Sequence, residues 1–567
     1  MKQRSATVAA AVMVGMLYGC GGGGNGAPDP TPIDPMPGIL QAQVDNPDLA
    51  TQLVPTFHIN ALSKGAAVIR SAADATARSQ AFAATESTLT TVAELETDYE
   101  TNFCQLNAEH GVTMQSPQCQ ANIAWIKQQS GTGQFDLNAK PILNNPLGVT
   151  GVLFQTVNYS TTVTLPQGQK TFAVSGGLML PQGIPAAKVK GIVTYFHGTT
   201  FNKAMVGSNY ATNGETRLAA QVFASQGYIV VIPDYVGQGV NWADVHPYVL
   251  YPRVTAKTAV DMLAAVAPTI RAQYQLDPAA RLKLFSAGYS EGGAYSLWLT
   301  SFLNEQPATL DPLYQLKHSI GIEGAYNTST VTKGFLFDNV SQVGDNTYRI
   351  QTQVVTNLVK PLLGADALLS YASYQLGGAT GSVFNSDFYG LNCAWPLPQA
   401  ACNVNDQHVD MATAFAQPDF SAATPILLSA LRKSANGATY PGVVDLLIST
   451  SNSANSLVSP TLLSASGQAQ LDAALRAADV NLAALPDGAV SIVSLDQDSV
   501  VTPKNYATLL AAYPGKFRVS VVIPAASIQV VSPFSYYVQK NPAYVNVDHM
   551  QAPVYTFLYA LNTFNQF

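Results

Sequence analysis

Gly288-Tyr289-Ser290-Glu291-Gly292 follows directly on the apolar run Leu282 to Phe285 and opens a helical pattern that begins near Gly293. Two glycines around one serine let a strand turn sharply into a helix without Cβ clashes, so that the serine is presented at the top of a sheet beside a helix N-terminus. That placement suits a nucleophile. A serine hydroxyl attacks well only when a base takes its proton, and the base needs an acid to hold its tautomer. The histidines downstream of Ser290 are His318, His408 and His549.

A nucleophile on such an elbow is followed in chain order by its acid and then by its histidine. His318 stands just before the strand-like run Ser319 to Ala325, too early to follow an acid, and His408 falls in a long insertion. His549 comes after late strand-like runs and immediately before the terminal helical pattern Gln551 to Asn562, which makes it the expected base. An acid should lie just after a strand, and the run Ser491 to Leu495 leads into Asp496-Gln497-Asp498-Ser499-Val500-Val501-Thr502-Pro503. Both Asp496 and Asp498 qualify, and whichever is unused should serve as a turn residue capping the helix near Pro503. Asp548, beside His549, is expected on the solvated surface. Backbone N–H groups should receive the oxyanion of a tetrahedral intermediate. One comes from Glu291, and the second should come from His197-Gly198-Thr199-Thr200, the loop after the strand Val189 to Phe196.

The elements that must hold these residues are β-branched runs alternating with helical ones. Val189 to Phe196, Tyr228 to Pro233, Arg281 to Gly288, Ser319 to Ala325 and Val490 to Leu495 read as strands, and Thr216 to Gln226, Thr255 to Ala272 and Gly293 to Leu303 as helices. This alternation predicts an α/β class with a mostly parallel, doubly covered sheet. Period-two alternation in Thr156 to Leu165 and Phe172 to Leu180 adds two half-buried strands ahead of it. Residues 151–327 and 487–567 are then two parts of one core. The intervening residues 328–486 are far too long for an ordinary crossover and read as a cap, with apolar stretches Leu358 to Leu369 and Ile426 to Leu431. A cap at this point should cover the carboxyl ends of the strands, where ligands bind. Residues 39–150, with helical spacing in Ala61 to Ala84 and Thr91 to Cys104, read as an N-terminal helical extension.

Tyr195 to Thr200, Pro233-Asp234-Tyr235 with Gly237 and Gly239, His246-Pro247-Tyr248 and the Gly288 to Gly293 elbow together resemble the α/β-hydrolase superfamily, and more narrowly its secretory lipases and esterases. The resemblance covers about residues 155 to 567. It implies an α/β-hydrolase fold and hydrolysis of a small-molecule or lipid ester through an acyl-enzyme, with no metal or organic cofactor. Ser290 would be the nucleophile and His549 the proton shuttle. An Asp followed by Val and then Pro before a helix is similar to the family's acid loop, a register that Asp498 fits best and Asp496 second. The His-Gly pair leaving the first parallel strand is similar to the family's oxyanion loop, which implies Thr199 as the second donor beside Glu291 and a structural role for His197. The sequence departs from the pattern in the roughly 50 residues between Asp498 and His549, longer than is usual. A peptidase on the same fold, and a lipid-anchored binding protein without turnover, are the rival readings.

Composition fits a globular chain outside the cytoplasm. Its 567 residues hold 28 Lys and Arg against 35 Asp and Glu, a formal charge of −7, with 47% hydrophobic and 11% charged residues. Such a balance argues against a nucleic-acid partner and against disorder. Lys2 and Arg4 precede the apolar stretch Ala6 to Leu17, so residues 1–19 read as a signal peptide. It ends in Leu17-Tyr18-Gly19-Cys20, which resembles the lipobox of bacterial lipoproteins, with Cys20 as the lipidated residue. Gly21 to Pro37, within a tether of residues 20–38, would span roughly 20–25 Å as a flexible coil. By the same resemblance, Gly21 rather than Asp after the cysteine implies a membrane-anchored protein of the cell envelope, at the outer membrane. The other cysteines form two close pairs, Cys104 with Cys119 and Cys393 with Cys402, neither with redox or zinc spacing, and two local disulfides are expected.

Overall fold

The computed structural model describes residues 87–106, 111–130, 145, 147–200, 203–337, 360–384, 389–390, 407–408, 458–531 and 544–567, apart from isolated positions within these spans. Cys20 with its flanking signal and tether, Ala61 to Ala84, the Cys393/Cys402 pair and Ile426 to Leu431 lie outside the described residues.

The alternating segments form a long hairpin, β2 (Gly151–Leu165) and β3 (Gly168–Gln182), paired antiparallel from Gly151 opposite Gln182 to Leu165 opposite Gly168. The later runs read as strands form β4 (Gly191–Phe196), β5 (Tyr228–Pro233), β6 (Leu282–Tyr289), β7 (Tyr314–Ile322) and β8 (Val490–Leu495), followed by an edge strand, β9 (Phe517–Ile523). A further strand, β1 (Ser87–Thr91), pairs antiparallel with β2. The nine strands lie in the order β1-β2-β3-β5-β4-β6-β7-β8-β9. Pairing is antiparallel as far as β3 against β5 and parallel from β5 to β9.

Successive side chains of a strand face opposite sides of a sheet. Val193 and Tyr195 of β4, with Tyr228, Val230 and Ile232 of β5, enter one core, while Ile192, Phe196, Ile229 and Val231 enter another. The first is closed by α1 (Val92–Cys104), α3 (Gly214–Val222) and α9 (Pro553–Phe564), the second by α4 (Pro252–Tyr274) and α5 (Glu291–Glu305). Burial on both faces explains why these strands carry unbroken apolar runs. The fold is therefore the expected α/β-hydrolase class: a mostly parallel sheet, covered twice, with the strand–serine–helix elbow between β6 and α5.

The N-terminal extension is helical over α1 and over α2 (Pro117–Ser130), and it is built into the core. Thr91 and Glu94 form a reciprocal capping box at the start of α1. The Tyr99 hydroxyl donates to Val554 O at 2.7 Å, the Tyr555 hydroxyl donates to Phe103 O at 2.8 Å, and the Cys104–Cys119 disulfide joins α1 to α2. The strand expected over Ser319 to Ala325 begins earlier and ends at Ile322, because Glu323 takes a left-handed backbone conformation (φ 49°) that ends the pleat.

β7 and β8 are parallel neighbours, Ser319 opposite Val490 through Ile322 opposite Val493, so the long insertion leaves and re-enters the sheet between adjacent strands. Its described parts include the turn Thr328–Thr332, the short helix Lys333–Leu336, α6 (Lys360–Tyr374) and α7 (Ala465–Ala477). α8 (Lys504–Ala512) follows β8, and the short antiparallel pair β10 (Gln529–Val531) and β11 (Tyr544–Asn546) precedes α9. Among the described residues no helix is long and apolar enough to cross a membrane.

Candidate active site

Ser290 stands at the end of β6 with φ 56° and ψ −121°, a conformation a residue with a side chain adopts only when its surroundings impose it. Two close approaches impose it. A Cβ on Gly288 would lie 2.0 Å from Gly292 O, and one on Gly292 would lie 2.1 Å from Phe196 O, so the glycines let the elbow pack against the end of β4. The Ser290 N–H donates to Ile322 O at 2.9 Å, which pins the turn to β7.

His549 reaches this serine from the turn between β11 and α9. The Val547 N–H donates to Ile528 O at 2.8 Å, and the Gln551 and Ala552 N–H groups donate to Asp548 O at 3.0 and 3.1 Å. The Tyr289 hydroxyl donates to His549 O, tying the turn to the elbow. His549 Nε2 lies 2.9 Å from Ser290 Oγ, and its Nδ1 lies 2.6 Å from Asp498 Oδ2. Asp498 Oδ1 accepts from the Val500 and Val501 N–H groups at 2.8 and 2.7 Å, which fixes the carboxylate. Ser290, His549 and Asp498 are all buried.

The loop after β8 thus brings Asp498, and not Asp496, to the histidine. Asp496 Oδ1 accepts the Ala525 N–H at 2.7 Å, and the Asp496 N–H donates to Ile523 O at 2.9 Å. Asp496 therefore binds the loop to the end of β9 and does not cap the helix near Pro503. Asp548 corrects a second expectation. It is 3% exposed, because the turn that carries His549 inward takes its neighbour with it.

Thr199 and Glu291 line the same cleft as Ser290. Glu291 opens α5, where backbone N–H groups lack intrahelical acceptors. In the loop after β4 the Gly198 N–H donates to Glu215 Oε1 at 2.9 Å, so that amide is already engaged, and the Thr199 side chain is hydrogen-bonded to Tyr248. His197 is buried, its Nδ1 lies 2.8 Å from Gly198 O and its ring stacks on Tyr235 with centroids 4.0 Å apart. Burial pulls its pKa down to about 4, so the ring is neutral near pH 7.

Three further buried side chains at the site have no role assigned from the sequence. Glu215, on α3, accepts from the Tyr195 hydroxyl and from Gly198. His246 Nε2 lies 2.6 Å from Glu291 Oε1, which also accepts from the Tyr295 hydroxyl at 2.6 Å. Glu323 Oε1 accepts the Leu495 N–H at 2.6 Å. His246 sat in a noticed motif without a role. The glutamates' partners are too distant in sequence for any pattern to reveal them.

The cleft holds about 720 Å³, counting its open mouth, and its walls include Val249, Phe335, Leu336, Leu363, Val500 and Val501. Leu363 lies on α6, and Phe335 and Leu336 on the short helix before it, so the insertion supplies part of the wall over Ser290. Among the described residues no group of three or more His, Cys, Asp or Glu side chains is arranged to hold a metal ion.

Burial raises the Glu215 pKa to about 7, only partly offset by its donors Tyr195 and Gly198. The unfolded chain releases this proton near pH 4.5 and the folded one near 7, so the folded form binds more protons in between and stability falls as pH rises through that window. At about 1.4 kcal/mol per pH unit the loss is on the order of 3 kcal/mol. Glu215→Gln removes this contribution. Urea unfolding at pH 4.5 and 7.5 should show the wild type losing about 3 kcal/mol more than the variant, and parallel losses would contradict the assignment.

No family model and no curated protein matches the chain. Solved structures resemble it. The rice cell wall degrading esterase LipA from Xanthomonas oryzae is 18% identical, with 73% of this chain and 91% of that one covered and a TM-score of 0.49. Candida antarctica lipase A is 15% identical, with 66% of this chain and 72% of that one covered and a TM-score of 0.41.

Proposed function

We propose that the protein is a serine hydrolase that cleaves carboxylic esters through an acyl-enzyme. The observation that carries this reading is the unbroken hydrogen-bond relay from Ser290 Oγ through His549 to Asp498, buried at the base of an apolar cleft. Ser290 Oγ attacks the ester carbonyl carbon while His549 Nε2 takes the hydroxyl proton, and the carbonyl π electrons pass to oxygen. Asp498 holds Nδ1–H, so that Nε2 is the basic nitrogen, and it stabilises the imidazolium. The oxyanion is received by the N–H groups of Glu291 and Thr199. Collapse expels the alcohol, which takes the proton from His549. Water then attacks the acyl-serine with His549 again as base, releasing the acid and restoring Ser290.

Apolar walls from Phe335, Leu336 and Leu363 favour an uncharged acyl chain, and this role makes residues 328–486 a cap on a core formed by residues 151–327 and 487–567. Wild type and Ser290→Ala, compared on p-nitrophenyl esters from acetate to palmitate and on amino-acyl p-nitroanilides, test the reading. Ester turnover should fall by at least about 10³-fold in the variant. Cleavage of anilides alone, or ester turnover surviving in the variant, would overturn it.

We also propose that the enzyme works at the cell envelope, anchored at the outer membrane through lipidated Cys20. Expressed in a bacterial host with labelled palmitate, the wild type should carry label and sediment with membranes. Cys20→Ser should lose the label. Equal labelling and sedimentation of the two would contradict the anchor.

A further inference from the structure

Beside the Ser290–His549–Asp498 relay lies a carboxyl that the relay does not need. Glu323 is buried at the end of β7, its N–H donates to Val493 O at 3.0 Å, and its left-handed φ of 49° turns the chain out of the sheet at this point. Its side chain crosses to the next strand. Oε1 accepts the Leu495 N–H at 2.6 Å, Oε2 lies 3.2 Å from the Ser494 hydroxyl, and the carboxyl is hydrogen-bonded to that of Asp498. The Tyr289 and Tyr326 hydroxyls also interact with it, and His549 lies on the far side of Asp498, bonded to Oδ2.

Two buried carboxyls in hydrogen-bond contact cannot both ionise at modest cost, because like charges that close strongly raise one pKa. The charge settles where more donors meet it. Asp498 receives the His549 Nδ1–H and two backbone N–H groups, whereas Glu323 receives one N–H and one hydroxyl. We propose that Glu323 is a positioning residue that stays protonated at neutral pH and donates its proton to Asp498, so that the pair carries one negative charge, placed on Asp498. Burial, with the charge of Asp498 next, pushes the Glu323 pKa well above the usual carboxylate range, in the same direction. The added donor draws charge from the Asp498 oxygens. It thereby lowers the proton affinity of His549 and fixes the carboxylate in the plane the imidazole needs.

The inference rests on the ester-hydrolase reading for its effect on turnover, and an infrared measurement tests the shared proton apart from turnover. Glu323→Gln keeps the shape and an N–H donor toward Asp498 but has no acid proton, and Glu323→Leu removes the donor. In the whole protein at pH 7, the wild-type minus Glu323→Gln infrared difference spectrum should contain a carbonyl band of a protonated carboxylic acid. With p-nitrophenyl butyrate, the leucine variant should lose about 10- to 100-fold in kcat with KM changed less than about twofold. Its acid limb of kcat/KM should move to higher pH, because Asp498 then holds the imidazolium more strongly. Glutamine should restore kcat to within about threefold of wild type and return the acid limb to its place. Absence of the acid band, or a leucine variant with wild-type kcat and acid limb, would overturn the proposal. If the leucine variant fails to fold, the band and the glutamine profile decide. An acid band without ester turnover in the wild type would overturn the hydrolase reading and still support the shared proton.

Discussion

A parallel strand has to become a helix within one residue while the end of a neighbouring strand presses against the turn. β6 ends at Tyr289, α5 begins at Glu291, and Ser290 between them is held at positive φ. Left-handed backbone at a non-glycine residue costs on the order of 1–3 kcal/mol and persists only where the surroundings over-determine it. Here the surroundings are backbone. Gly292 lies against the Phe196 carbonyl, and the Ser290 N–H is fixed on Ile322 O, so three adjacent strands, β4, β6 and β7, hold the turn. Oγ therefore points at the mouth of the sheet rather than into either core, and the loop after β4 is brought beside it by the same contact.

The second constraint is electrostatic. Glu215, Glu291, Glu323 and Asp498 are buried around one hydroxyl, and buried carboxyls are costly unless hydrogen-bonded or neutral. Each is handled differently. Glu291 is paired with His246 and the Tyr295 hydroxyl, Asp498 takes two backbone N–H groups and His549, and Glu215 takes Tyr195 and Gly198 while its pKa rises to about 7. These partners come from β4 and the loop after it, the loop before α4, α5, the loop after β8 and the turn before α9. The polar shell ties together elements that the two apolar cores hold only from outside. The insertion adds its own buried acid, Asp366 on α6, whose pKa burial raises to about 7.

Much of this was legible in the sequence, for reasons particular to each element. Tyr228–Pro233 and Val490–Leu495 have the bounds read from the chain, because central strands buried on both faces are short runs rich in β-branched residues between turn residues. Ser290 and His549 could be found because the elbow is a strictly local pattern and the histidine has few competitors, and the two now lie within hydrogen-bonding distance. β1, Ser-Thr-Leu-Thr-Thr, has no strand signature of its own and is a strand only through its pairing with β2. From the residues alone the choice between Asp496 and Asp498 is open, because both follow the same strand and a two-residue difference in loop path separates them, and it was the resemblance that favoured Asp498. Asp548 was misplaced at the surface because a charge next to a turn is ordinarily solvated, and only the inward course of this turn buries it. Glu323 was invisible because its partner amide is 172 residues away.

The central claim is that Ser290 is the group that bonds to the substrate carbon, activated by His549. Diethyl p-nitrophenyl phosphate mimics the acylation step and leaves a stable diethylphosphoryl adduct, so it reports the nucleophile without requiring the natural substrate. One equivalent should be incorporated with release of one p-nitrophenolate, mass spectrometry should place it on the peptide containing Gly288 to Gly293, and His549→Ala should slow incorporation by at least about 100-fold. Incorporation at another residue, or an unchanged rate without His549, would contradict the account.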